Sequence, residues 1–143
     1  MKRKTTMKAF FALLLLLCCA FTAHAAERKQ NDLGGMDPAQ ALEYMKTTKN
    51  LVIVDVATRR WFATKHFAGA VNIPIENISS DEAAELYRNL PAGRPVLLHC
   101  RLGMVVPGAY QTLKALRPDI PEVAYIAGKP LFDEYNAWYE TTH

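Results

Sequence analysis

Three short, unbroken apolar runs recur along the chain: Leu51-Val-Ile-Val-Asp55, Pro95-Val-Leu-Leu-His99 and Val123-Ala-Tyr-Ile126, with helical patterns between them. Runs of this length without polar alternation suit strands covered on both faces. Such strands need helices above and below, and a helix between consecutive strands leaves them parallel. The expected fold class is α/β, a central, mostly parallel sheet with helices on both faces. The punctuation agrees. Asp37-Pro38 reads as an N-cap and first helical residue, opening a helix through Ala41, Leu42 and Met45. A helical pattern runs from Thr58 to Lys65, and Val71-Asn-Ile-Pro74 is a short strand stopped by its proline. Ser79-Ser-Asp-Glu82 is a capping-box pattern that leads a helix through Ala83, Leu86 and Tyr87. Further helices are expected from Val106 to Leu116 and from Leu131 to Tyr139.

The N-terminus follows a different logic. Lys2, Arg3, Lys4 and Lys8 precede an apolar run from Ala9 to Phe21, and Ala23-His24-Ala25 supplies small residues at the cleavage positions. Together these describe a secretory signal peptide over residues 1–25, cut after Ala25. Its 13 apolar residues fall short of the roughly 20 that a membrane-spanning helix needs. The expected location is therefore periplasmic or secreted, with no membrane attachment after cleavage. The mature chain would hold 13 Lys+Arg against 14 Asp+Glu, a net charge of −1. That balance leaves no basic field for nucleic acid. Residues 26–36 read as a flexible leader and 37–143 as one domain.

Cleavage also removes Cys18 and Cys19, leaving Cys100 as the single thiol. It has no partner for an intramolecular disulfide and no C-x-x-C context. It stands directly after an expected strand, at the end of the sheet where ligands collect in open parallel folds. Arg101-Leu-Gly-Met-Val105 follows before the next helix, a loop short enough to aim successive backbone N–H groups inward as an anion nest. The helix N-terminus adds positive potential there, and Gly103 lets the loop turn. A thiolate is favoured in such a cradle and becomes a nucleophile.

At this point the residues resemble a known family, the single-domain rhodanese-like sulfurtransferases. One stretch, Asp55-Val-Ala-Thr-Arg-Arg-Trp-Phe-Ala-Thr-Lys-His66-Phe-Ala-Gly69-Ala70-Val-Asn72-Ile-Pro74, is similar without a gap to the family's first signature. The second is the loop His99-Cys100-Arg-Leu-Gly103-Met-Val105. The resemblance covers about Asp37 to Trp138. It implies that Cys100 takes a sulfane sulfur from a small donor such as thiosulfate or polysulfide, holds it as a persulfide, and passes it to a thiol or cyanide-like acceptor. No metal and no organic cofactor are implied. Arg101 would be the cation for an incoming oxyanion, and Arg101, Leu102, Gly103, Met104 and Val105 would bind substrate.

The departures are informative. Val105 ends a loop where catalytic members often carry Arg, Thr or Ser, and Leu102 and Met104 make its rim apolar. The loop thus suits a less charged donor, or docking against an apolar surface of a protein partner. That second possibility makes the chain a catalytically weak binding or sulfur-carrier module. Ala57 stands where Arg is usual, and Arg59-Arg60-Trp61 replaces Pro-Glu-Glu, as if a structural ion pair had been replaced as a unit. Arg59 and Arg60 read as a solvated helix face. Phosphatase relatives of this fold use Cys-x5-Arg, and the sixth residue after Cys100 is Val106. His99 neighbours the nucleophile in sequence, but consecutive strand residues face opposite ways, so it is expected to pack below the loop. His66 reads as structural. Cys100, His66, His99 and His143 lack metal-ligand spacing. Trp61, Trp138, Phe62, Phe132 and Tyr135 are spaced like core helix faces.

Overall fold

The computed structural model describes residues 30–143. Its elements are β1 (Asn31–Met36), α1 (Pro38–Thr47), β2 (Val52–Asp55), α2 (Arg59–Thr64), β3 (Val71–Asn72), α3 (Ser80–Arg88), β4 (Val96–His99), α4 (Val106–Leu116), β5 (Glu122–Ile126) and α5 (Phe132–Thr142). The strands form one sheet in the order β1-β5-β4-β2-β3, and every neighbouring pair is parallel. The expected signal peptide lies outside the described residues.

The continuous apolar runs became the three central strands because both of their faces are covered. Val52, Val54, Val96, Leu98 and Val123 point to one side, where they pack with Tyr87 of α3, with Leu90 just after that helix, and with Val106, Ala109, Tyr110 and Leu113 of α4. Ile53, Leu97, Ala124 and Ile126 point to the other, against Ala41 and Met45 of α1 and Tyr135 of α5. The period-two alternation of a strand thus supplies two cores from one sheet.

Two helix starts follow the sequence closely. The Asp37 carboxylate accepts from the amides of Ala39 and Gln40, and the Gln40 side chain returns to the Asp37 amide, completing a capping box with Pro38 just inside the helix. At α3 only half of the expected box is present. Ser79 Oγ accepts from the Glu82 amide, while the Glu82 carboxylate takes Arg59 at 3.0 Å instead.

One expectation is corrected. Asn31–Met36 is not part of a flexible leader but the edge strand β1, paired with β5. Its polar, glycine-containing sequence carries no strand pattern of its own. The tip of the Tyr125 ring of β5 lies 2.7 Å from an added Cβ at position 35, so the ring rests on Gly35 and would have to turn aside for a larger residue.

Candidate active site

Strand order determines where the site falls. The chain leaves β4 toward β5 on one side and leaves β2 toward β3 on the other. The loops after β2 and β4 therefore diverge and open a crevice at the carboxyl ends of these strands, which sit in register with Asp55 opposite His99. A cleft of about 250 Å³ occupies this crevice. Val56, Ala57 and Thr58 line it from the β2 end, Ile75 and Glu76 from beyond β3, and Cys100, Arg101, Leu102, Met104 and Val105 from the loop after β4.

Cys100 is buried at the floor of the cleft with 3% exposure. The Gly103 amide donates to its sulfur at 3.2 Å, one N–H of the expected cradle. Gly103 achieves this with φ of +76°, a conformation only glycine adopts without strain. Behind the loop, α4 begins at Val106 with no side-chain cap and with a proline in its first turn. Pro107 has no N–H, and no side chain caps the other amides of that turn, which are the positive end of the helix dipole.

Leu102, Met104 and Val105 are exposed, 64%, 79% and 43% respectively. Trp61 joins them on the rim of the cleft and is itself 56% exposed. This corrects the expectation that Trp61 packs in the core. Helix α2 has six residues and none of them is buried, so its spacing carries no core stripe. Of the other aromatics in that set, Tyr135 is buried and Trp138 packs partly buried against the same core.

Arg101 lines the cleft but turns its guanidinium toward the sheet. Its Nη2 pairs with Asp55 Oδ2 at 3.0 Å, and its guanidinium lies 4.9 Å over the Phe132 ring. Nε and Nη1 are sealed from solvent and have no partner among the described residues. The guanidinium is turned inward as the counter-charge of a fully buried carboxylate. Asp55 also accepts from the Ala57 amide at 2.9 Å, which braces the loop after β2. The cation missing at position 57 is thus supplied to Asp55 from position 101. Arg59 pairs with Glu82 on the surface, and neither Arg59 nor Arg60 lines the cleft.

His99 faces the opposite core, as the strand alternation requires. Its ring meets Phe67 and Phe132 edge-on, and Nδ1 donates to the Cys100 carbonyl at 3.2 Å. That bond fixes the peptide of the cysteine from below. His66 Nδ1 lies 2.8 Å from the Phe62 carbonyl. No cluster of three metal-ligating side chains occurs among the described residues.

Burial pushes the His99 pKa down from 6.5 to about 4, with the Asp55 charge opposing the shift. Between these values the unfolded chain takes up a proton that the folded chain refuses. Stability from this group is therefore present above pH 6.5 and lost as pH falls toward 4, by about 3 kcal/mol. Denaturant unfolding across this range should show the loss, and His99→Gln should flatten it. An unchanged slope in that variant would assign the acid sensitivity elsewhere.

Fold and site together define a parallel α/β protein with a strand-end cysteine at the switch point of its sheet. The chain belongs to the rhodanese-like family: the model of the rhodanese-like domain matches residues 37–129. A rhodanese-related protein from Thermoplasma volcanium is similar in structure, with a TM-score of 0.52 and 20% identity, covering 76% of this chain and 93% of that one. A Staphylococcus saprophyticus protein gives a TM-score of 0.54 at 18% identity over 72% and 93% of the two chains. An uncharacterised Saccharomyces cerevisiae protein gives 0.52 at 13% identity over 79% and 93%. At such identities the likeness is one of fold. No curated protein matches the sequence significantly. Strand β1 and helix α5 lie outside the matched residues, although Tyr135 of α5 belongs to the core.

Proposed function

We propose that the chain is an exported sulfurtransferase that carries sulfane sulfur as a persulfide on Cys100. The observation that carries this reading is the Gly103 amide donating to the Cys100 sulfur at the floor of an open cleft. In the first step Cys100 Sγ attacks the outer sulfur of a donor, and the leaving group departs with the electron pair of the broken bond. In the second, a thiol or cyanide-like acceptor attacks the outer sulfur of the persulfide and Cys100 leaves as thiolate. The Gly103 N–H and the uncapped start of α4 hold the negative sulfur through both steps, which is covalent catalysis with electrostatic support. His99 serves as a positioning residue, because its Nδ1 is engaged with the Cys100 carbonyl on the far side of the sheet end.

Export to the periplasm or beyond is supported by Lys2, Arg3, Lys4 and Lys8 before the apolar run, and by Ala23-His24-Ala25 after it. One intact-mass measurement tests both parts. Protein recovered after export is expected to begin at Ala26. Incubation with a sulfane donor should add one sulfur atom, which cyanide then removes. A chain that keeps residues 1–25 overturns export, and a chain that gains no sulfur from any donor overturns the transferase. The exposed rim of Leu102, Met104 and Val105 favours one second reading, a module that docks an apolar partner surface, and this is the reading that a sulfur-free result would promote.

A further inference from the structure

We infer that the Cys100 cleft selects a monoanionic organic sulfane donor, with an apolar group beside its reactive sulfur, over the small thiosulfate dianion. The inference rests on the sulfurtransferase reading and names its substrate class.

The first argument is charge. Arg101 and Glu76 are the charged residues among those lining the cleft. The Arg101 charge is matched by buried Asp55 at 3.0 Å, and its remaining Nε and Nη1 donors are closed to solvent. The pair therefore adds no net charge, while Glu76 adds a negative one. Outside the lining, Arg59 pairs with Glu82 at 3.0 Å and Lys65 with Asp133 at 2.7 Å, while Arg60 and Lys129 stand away from the cleft wall. A dianion entering here sheds water without meeting an unpaired cation among the lining residues, which is costly. What the site does supply is the Gly103 N–H and the start of α4, enough for a single negative sulfur.

The second argument is the rim. Trp61, Leu102 and Met104 are large, apolar and more than half exposed, and they surround the cleft with an aromatic face and a thioether. These groups contact an organic substituent well and a hydrated inorganic anion poorly. Thiosulfate would leave most of the 250 Å³ cleft unfilled. A donor with a phenyl-sized substituent would cover the rim while its sulfur reached Cys100.

An organic thiosulfonate illustrates the step. Cys100 thiolate forms a bond to the outer sulfur of R–SO2–S⁻, and the bond from that sulfur to the sulfonyl sulfur breaks. Its electron pair leaves with the sulfinate R–SO2⁻, and Cys100 keeps a persulfide anion. Two negative charges stand on each side, and no proton, oxidant or reductant enters.

The test compares benzenethiosulfonate, methanethiosulfonate and thiosulfate, with cyanide as acceptor. Each kcat/KM is normalised to the rate at which the same donor reacts with free cysteine. Benzenethiosulfonate should exceed thiosulfate by about a hundredfold, with methanethiosulfonate between them. Trp61→Ala, on a helix with no buried residue, should shrink the phenyl-over-methyl preference about tenfold. Glu76→Gln should raise the thiosulfate value relative to the other two. Equal normalised values, or a phenyl preference untouched by Trp61→Ala, overturn the selectivity and leave the transferase reading standing. Loading from none of the three donors also overturns the selectivity, and failure of polysulfide as well overturns the transferase reading itself.

Discussion

Cys100→Ser is expected to abolish sulfur transfer while leaving the fold almost unchanged. The loss should reach about 10⁴-fold or more in turnover, the scale seen when a covalent nucleophile is removed. A serine hydroxyl is a poor nucleophile toward sulfane sulfur at neutral pH and forms no persulfide. The site offers no substitute, since Cys100 is the free cysteine among the described residues. Stability should fall by only about 1 kcal/mol, because the smaller, buried hydroxyl still accepts from the Gly103 amide now bonded to sulfur at 3.2 Å. Cyanide-coupled turnover and denaturant unfolding, measured on the same preparation, separate the two effects. Persistent turnover in a well-folded variant would falsify the assignment of Cys100 as carrier.

Much of this arrangement is legible in the sequence, and the parts that are not share a physical cause. The central strands could be read because β-branched residues without alternation have one economical fate, burial between two layers of helices. The placement of Cys100 and the opposed direction of His99 followed from strand periodicity alone. Strand β1 could not be read. Its ladder is made with β5, between residues far apart in sequence. The Arg101 ion pair escaped for the same reason. Its partner Asp55 lies 46 residues away, and a sequence shows the two only as members of separate motifs. One signal was available, namely the missing cation at position 57, since a buried strand-end carboxylate needs a counter-charge from somewhere. Trp61 was misplaced because helical spacing implies a core face only when the helix is long enough to own one.

Gly103→Ala is expected to damage both stability and chemistry, and Gly93→Ala to damage neither to a comparable degree. Both glycines have positive φ, +76° and +69°, so each substitution carries the left-handed cost of about 1–2 kcal/mol. They differ in surroundings. A Cβ at Gly93 meets nothing within 4 Å, whereas one at Gly103 falls 2.2 Å from the Gly128 amide nitrogen and 2.9 Å from the Ala127 carbonyl carbon. That backbone has little room to retreat. An added Cβ at Gly128 would itself lie 3.0 Å from Pro38, and the Ala127 amide is bonded to the Met36 carbonyl at 2.8 Å. The overlap must then be relieved by the cysteine loop, for a total cost of about 3 kcal/mol or more. Moving the loop withdraws the Gly103 N–H from the sulfur, which should lower turnover about a hundredfold even in the fraction that remains folded. Thermal unfolding and single-turnover persulfide loading on the two variants decide the matter. Equal losses at both positions would reduce the role of Gly103 to its backbone angle, and a larger loss at Gly103 alone ties the reactivity of Cys100 to the tight seam between its loop and residues 127–128.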